Sequence, residues 1–341
     1  MYMQDKSIGA LLSNVTEGKD FPLRIPRGHG KVLCTMAFDH LKSVAWFRET
    51  WIPFADAKIG IFNKAFMYGL YVFGGIRAQW STDQQALYAF RLDEHYKRFL
   101  NSCRVLRFQN FQKNYTQERF IETILETLRK NNLQEDVYIR PFSFVDEEKM
   151  SPSFANDSFG VALFPLGTYI PSTGLRCKVS SWTRTEDNAI SSHFKVGGAY
   201  VNTALAKHEA QSLGFDEAIV LDKNGYAVEG SAENLFIVRD NTLITPPVSS
   251  NILEGITRKS VIQLAQNQNI PVVERPIPRT ELYRADEVFL TGTAARIASV
   301  AEIDGISIGN GLYPLTEKLQ QHLNAIVAGT DETYRHWLWK A

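Results

Sequence analysis

The 341-residue sequence predicts a mixed α/β (α+β) protein of two domains behind an N-terminal extension. Three observations carry that reading. Short β-type runs alternate with helical ones along most of the chain. A turn-rich stretch, GTYIPSTG at 167–174, interrupts the alternation near the middle, and its Pro and two Gly mark it as a linker. The length also suits about two domains at roughly 100–200 residues each. The boundaries that follow are 1–35 for the extension, 36–168 for a smaller α/β domain, 169–175 for the interdomain loop and 176–341 for a larger domain.

Each element has its own signal. Residues 1–35 are rich in Gly, Lys, Pro and polar residues and carry little core. LYAFRL (87–92), VYIRPFSFV (137–145) and FGVALFPL (159–166) are β-type runs. Between them, Thr116 is placed as an N-cap, with Phe120, Ile124 and Leu128 at i, i+4 and i+8 of a helix that ends near Asn131 and Asn132. After the linker come strand CKVSSW, helix YVNTALAKHEA closing near Gly214, strand EAIVLD, the Asn224-Gly225 turn and strand ENLFIV. An Asn-Gly pair between apolar runs predicts a hairpin with a type I′ turn, which needs positive φ at both central residues. A further helix opens near Thr257, and strand EVFLTG leads into the TGTAAR turn at 291–296.

Composition excludes several functions. The 37 Lys and Arg balance 37 Asp and Glu, so no basic surplus points to nucleic acid or an anionic membrane. With 44% hydrophobic residues the chain can bury a large core, and no apolar run reaches the roughly 18 residues of a membrane span. The N-terminus lacks the pattern of a secretory signal, so a cytoplasmic location is expected. Cys34, Cys103 and Cys177 are scattered and read as buried, reduced thiols, and neither they nor the seven histidines have metal-ligand spacing. There is no G-x-G-x-x-G, P-loop, H-E-x-x-H or G-x-S-x-G motif.

A constellation in the second half remains: SSHFKVGGAY (191–200), EGSAENLFIV (229–238), LEGITR (253–258) and TGTAAR. Lys195 stands in a largely uncharged stretch beside Gly197 and Gly198, and a shielded lysine can supply a neutral amine for Schiff-base chemistry. Glu229 precedes three small residues, where a carboxylate can face a cavity. Gly255 and Thr257 stand where a helix begins, and free backbone NH groups there suit a phosphate. Taken singly, Lys195 reads more readily as a surface charge and Thr257 as an ordinary cap, while Glu229 reads as readily as a surface charge at a hairpin edge.

Together, Lys195-x-Gly-Gly-Ala-Tyr200, Glu229-Gly-Ser-Ala-Glu-Asn234-Leu-Phe, Leu253-Glu-Gly-Ile-Thr257-Arg and Gly292-Thr293-Ala-Ala resemble the class IV pyridoxal-phosphate aminotransferases. The order, spacing and residue types match over roughly 36–330. With SSWTR (180–184), YGLYVFGGIR (68–77) and VYIRP (137–141), the nearest resemblance is to the branched-chain amino-acid aminotransferases.

That resemblance implies a two-domain fold type IV enzyme whose larger C-terminal domain carries the Schiff-base lysine, Lys195. It implies pyridoxal 5'-phosphate as cofactor, Glu229 at the ring nitrogen, Tyr200 at the ring oxygen, Leu253 packed on the ring, and Arg98, Ile256, Thr257 and Thr293 around the phosphate. On the substrate side it assigns Tyr68, Phe73, Arg140, Tyr169 and Tyr200 to the side-chain pocket, and Thr293, Ala294 and Ala295 to the substrate carboxylate. The implied reaction moves the amino group of leucine, isoleucine or valine to 2-oxoglutarate in a homodimer or higher homo-oligomer. Its partners are small amino acids and 2-oxo acids, with no nucleic acid, membrane or metal.

Two segments depart from the family pattern. Phe73-Gly74-Gly75-Ile76-Arg77 stands where F-E-G-I-R is common, so a pocket-rim carboxylate is expected to be missing. DEEKMSPS (146–153) replaces a Gly-rich apolar loop. Both departures are expected on the substrate side. The rival readings are a sister class IV activity (D-amino-acid or R-amine transamination, or aminodeoxychorismate lyase), against which the YIR element argues, and a non-catalytic scaffold, against which Lys195, Glu229, Tyr200 and Arg98 argue together.

Overall fold

The computed structural model describes residues 42–154, 156–165 and 171–341. The extension, Cys34 and Tyr169 lie outside these residues, as does part of the expected linker.

The first half of the chain, joined by the C-terminal strand Leu338–Lys340, builds an eight-stranded antiparallel sheet. From one edge its order is Leu338–Lys340, Ala86–Phe90, Ile76–Ser81, Val137–Val145, Asp157–Pro165, Val44–Phe47 and Thr50–Pro53, and Tyr71–Phe73 also pairs with Val137–Val145. Helices Leu92–Val105 and Gln117–Asn131 cover one face. Phe99, Phe111, Tyr115, Phe120 and Phe159 form the centre of that core, with ring centroids 4.5–6.2 Å apart. The second helix starts as the sequence predicts: the Thr116 side chain accepts the Arg119 NH, and Asn132 ends the helix in the left-handed region. Such a cap contributes about 1 kcal/mol.

The second sheet has ten strands. Six of them, Leu175–Thr183, Glu217–Leu221, Tyr226–Gly230, Asn234–Arg239, Glu287–Gly292 and Arg296–Ile303, pair in a closed ring, because Glu229 also pairs with Asn234. Closure leaves a barrel whose inside is filled by Val179, Ile219, Leu235, Ile237, Leu290 and Val300. Helices Ile256–Asn267 and Pro314–Val327 cover its outside through Phe236, Phe289, Leu264 and Leu319. Helix Tyr200–Ser212 packs on strands 175–183 and 217–221. Cys103 and Cys177 are buried free thiols, as expected.

The Asn224-Gly225 hairpin forms, but not as a type I′ turn. Only Gly225 has positive φ (85°). The Asp222 carboxylate accepts the NH groups of Asn224 and Tyr226, both at 2.9 Å, and this side-chain brace leaves Asn224 in an ordinary conformation. No helix among the described residues is long and apolar enough to cross a membrane.

Candidate active site

Lys195 sits where the two sheets meet. Its carbonyl accepts the Phe73 NH at 3.1 Å, its NH donates to Ser102 at 3.2 Å, and Val196 bridges to Val72. The lysine backbone is therefore bound to a strand and a helix of the first layer while the chain continues into helix 200–212. Gly197 is required by this packing: a Cβ there would lie 2.0 Å from the Tyr71 ring.

The Lys195 amine contacts the Tyr200 hydroxyl at 2.5 Å and lies 5.1 Å from the centroids of both Phe73 and Tyr200. Burial, reinforced by the Arg98 and Arg140 guanidinium groups, holds the amine well below the ordinary lysine range, against an opposing pull from Glu229. Burial and the Glu229 charge push the Tyr200 hydroxyl up, so the phenol keeps its proton at neutral pH.

Glu229 is buried at the end of strand 226–230, with one oxygen 2.6 Å from Arg184. The other accepts the Leu253 NH at 3.2 Å and the Asn234 amide at 3.4 Å. Burial raises its carboxyl, and Arg184 and the Leu253 NH oppose that rise. Arg184, itself only 8% exposed, is the partner that sequence reasoning passed over. SSWTR was legible as a segment, but the pairing spans 45 positions and is made only by barrel closure.

Arg98 lies on the inner side of helix 92–105 and donates to the Glu254 carbonyl at 3.1 Å, beside the start of helix 256–267. Arg98, Gly255 and Ile256 line one opening of about 820 Å³. Thr257 and Thr293 flank a narrow cavity with His95, whose imidazole is held neutral by burial and by Arg98 and Lys195. The Thr293 hydroxyl donates to the Gly75 carbonyl at 2.9 Å. Leu253 meets Glu229 through its backbone.

The remaining residues line a cavity of about 610 Å³ that Lys195 and Tyr200 share with Phe73, Arg140, Ala294 and Ala295. The Arg140 guanidinium lies 4.5 Å over Phe73 and 5.0 Å over Tyr138, and donates to the Tyr138 hydroxyl at 3.0 Å. Tyr138 is a second omission of the sequence reading. Two positions before Arg140 on one strand, it shares its face by the period-2 rule, and that was the available signal. Tyr68, at the end of helix Lys64–Tyr68, does not line this cavity.

One departure, Gly74, is placed differently from expectation. A Cβ at Gly75 would lie 2.3 Å from the Tyr138 hydroxyl, so Gly75 faces the pocket. At Gly74 it would lie 2.6 Å from Pro141 and 3.8 Å from Phe99, on the opposite side. A Cβ at 74 therefore starts toward Pro141 and Phe99 rather than into the pocket. The 146–153 loop is fastened by Lys64, whose buried amine reaches Glu147 at 2.5 Å and the Ser153 hydroxyl at 2.9 Å, and by Arg48 on Asp146.

Comparison with known proteins decides the family. The model of the class IV aminotransferases matches residues 73–303. The chain belongs to the class IV aminotransferases. It is 46% identical over 299 residues to the probable branched-chain-amino-acid aminotransferase of Aquifex aeolicus, covering 86% of this chain and 95% of that one. It is 39% identical over 302 residues to the branched-chain-amino-acid aminotransferase of Escherichia coli K12, with the same coverage. Among solved structures, this class IV aminotransferase resembles the branched-chain aminotransferase of Thermoproteus uzoniensis with norvaline (TM-score 0.83, 39% identity, 87% of this chain and 99% of that one). It also resembles the Thermobaculum terrenum enzyme in its PLP form (TM-score 0.83, 32% identity, 88% and 99%).

Proposed function

We propose that this chain transfers the amino group of leucine, isoleucine or valine to 2-oxoglutarate, with pyridoxal 5'-phosphate as its cofactor. The observation that carries the reading is Lys195: a buried amine held well below the ordinary lysine range, facing Tyr200 and flanked by the Glu229–Arg184 pair.

The residues present fit that cofactor. Arg98 and the free NH groups of helix 256–267 suit a phosphate dianion. Glu229, whose carboxylate form is favoured by Arg184 and the Leu253 NH against the effect of burial, suits a protonated pyridine nitrogen. Tyr200 donates toward a phenolic oxygen. When bound, pyridoxal phosphate supplies an electron sink that stabilises negative charge at the substrate α-carbon. The Lys195 amine would move the proton between the substrate α-carbon and the C4′ carbon of the cofactor. Phe73, Tyr138 and the aliphatic stem of Arg140 line space for a branched side chain, and the guanidinium receives the second carboxylate of glutamate. Thr293, Ala294 and Ala295 receive the α-carboxylate.

Tyr68 is assigned to the pocket of a second copy. It stands on a helix with exposed Phe66 and Met67, next to Ile61, Phe62 and, through the Lys64–Glu147 contact, Met150. An apolar surface of this kind supports a homodimer. Tyr169 keeps its proposed place in the pocket. The division at 169–175 and a cytoplasmic location stand on the sequence, with the terminal strand 338–340 returning to the first sheet.

The test is an amino-donor panel with 2-oxoglutarate on the purified, cofactor-loaded protein. L-leucine, L-isoleucine and L-valine are expected to give the highest turnover. Preference for D-enantiomers, or negligible turnover with all three, would overturn the substrate assignment.

A further inference from the structure

Three buried carboxyls stand behind the pocket with only two cations. Glu229 is matched by Arg184, and Glu217 by Lys207 at 2.5 Å. Glu233, on the turn between strands 226–230 and 234–239, is 5% exposed, and no cation pairs with it among the described residues. Its Oε2 accepts the Ala232 NH at 3.1 Å. Its Cγ lies 3.5 Å from where a Cβ on Gly292 would be, so the turn carrying Glu233 packs directly on the residue before Thr293. Glu233 also lines the cavity that holds Lys195, Ala294 and Ala295.

We propose that Glu233 is a positioning and specificity-determining residue: it props the 231–233 turn against Gly292 and, while it keeps its proton, gives the 293–295 turn an uncharged neighbour against which a substrate carboxylate can bind. The inference rests on the proposed role of Ala294 and Ala295 in receiving that carboxylate. The charges facing Glu233 are Glu217 from strand 217–221, Lys207 from helix 200–212, Glu229 from its own hairpin and the Cys177 thiol from strand 175–183. Across the cavity stand Lys195, Tyr200, Tyr138 and Arg140. Burial and the neighbouring Glu217 charge push the Glu233 carboxyl up to about 8, with the Ala232 NH and Lys207 opposing. On this proposal Glu233 holds its proton at pH 7 and gives it up as the pH rises. Once ionised, it sets a negative charge beside the site for another.

The probe is 4-methyl-2-oxopentanoate, a branched 2-oxo acid with one carboxylate and no group that titrates between pH 7 and 9, used with glutamate as donor and the full-length holoenzyme. Its KM in the wild type is expected to rise about tenfold from pH 7 to 9, the size of a like-charge interaction near a protein surface. In Glu233→Gln that pH-dependent rise is expected to disappear, whatever the KM at pH 7. A wild-type KM that stays flat, or a Glu233→Gln enzyme that keeps the rise, would overturn the proposal. Should Glu233→Gln not fold, infrared spectroscopy with isotope-labelled glutamate reads the same group, as the labelled band that the wild type shows and Glu233→Asp lacks. A buried protonated-carboxyl band present at pH 7 and lost by pH 9 supports the proposal, and its absence at pH 7 sinks it. An enzyme that transaminates no branched substrate at any pH refutes the functional reading instead, and the infrared band still reports on Glu233.

Discussion

The two walls of the active-site cavity handle charge in opposite ways. The barrel wall pairs its buried ions: Glu229 with Arg184, and Glu217 with Lys207. The wall from the first sheet holds one guanidinium, Arg140, laid over two aromatic rings with no carboxylate partner among the described residues. The difference follows from what each wall meets. A cofactor presents the same charges in every cycle, so fixed pairs serve it and exclude reorganisation. A substrate pocket that takes both an apolar chain and a glutamate needs a cation that ring faces and a hydroxyl can hold when no anion is bound.

Five substitutions test that contrast, from the largest expected effect downward. Lys195→Ala removes the amine proposed to move the proton, and transamination is expected to fall by at least about 10³-fold, with loss of the cofactor's visible absorption band. Retained turnover would show that another group does the proton transfer. Arg184→Leu strands the buried Glu229 carboxylate, for which a loss of about 3–5 kcal/mol in a urea melt is expected. The Glu229 carboxyl should then climb further, so kcat at pH 7 should fall and partly recover as the pH is raised. A neutral effect on both readings would mean that the pair is not fixed as described.

On the other wall, Arg140→Met is expected to lower kcat/KM for 2-oxoglutarate by about 10–100-fold, the worth of a charge-assisted contact, while the KM for leucine changes by no more than about threefold. Equal losses with both substrates would make Arg140 a structural residue instead. Glu233→Gln is expected to raise Tm by a few degrees at pH 8. The sign follows from linkage: the folded carboxyl binds its proton more tightly than the unfolded one. Its penalty is therefore absent below the ordinary glutamate range, grows as pH rises, and is complete near 8. The Tm difference should vanish toward pH 4–5, and a difference independent of pH would contradict the assignment. Gly74→Ala should have the smallest effect, a loss of about 1–2 kcal/mol from overpacking against Pro141, with the ratio of leucine to glutamate turnover unchanged. A shift in that ratio would return position 74 to the pocket rim.

Much of the chemistry was legible because it is local in sequence. Lys195 and Tyr200 are five residues apart, and the 255–257 helix start announces itself by Gly, Thr and the apolar pattern that follows. Helix 92–105 was not marked as an element, although Leu92, Tyr96, Phe99 and Cys103 line its buried face. Arg98 therefore came from resemblance rather than from a helix assigned in advance. The terminal strand 338–340 was missed because three residues carry no usable period, and it exists only through its pairing with 86–90.

The sequence by itself determined the family and several of the elements, and singled out Lys195 and Glu229. Only the tertiary structure decided which groups neutralise one another. Arg184, which a closed barrel brings to 2.6 Å, opposes the rise that burial imposes on Glu229, whereas burial and then Glu217, which has a lysine of its own, push Glu233 up. Residue type fixes the charge a side chain can carry, but burial and the nearest opposite charge fix the charge it does carry, and both are properties of the packed chain.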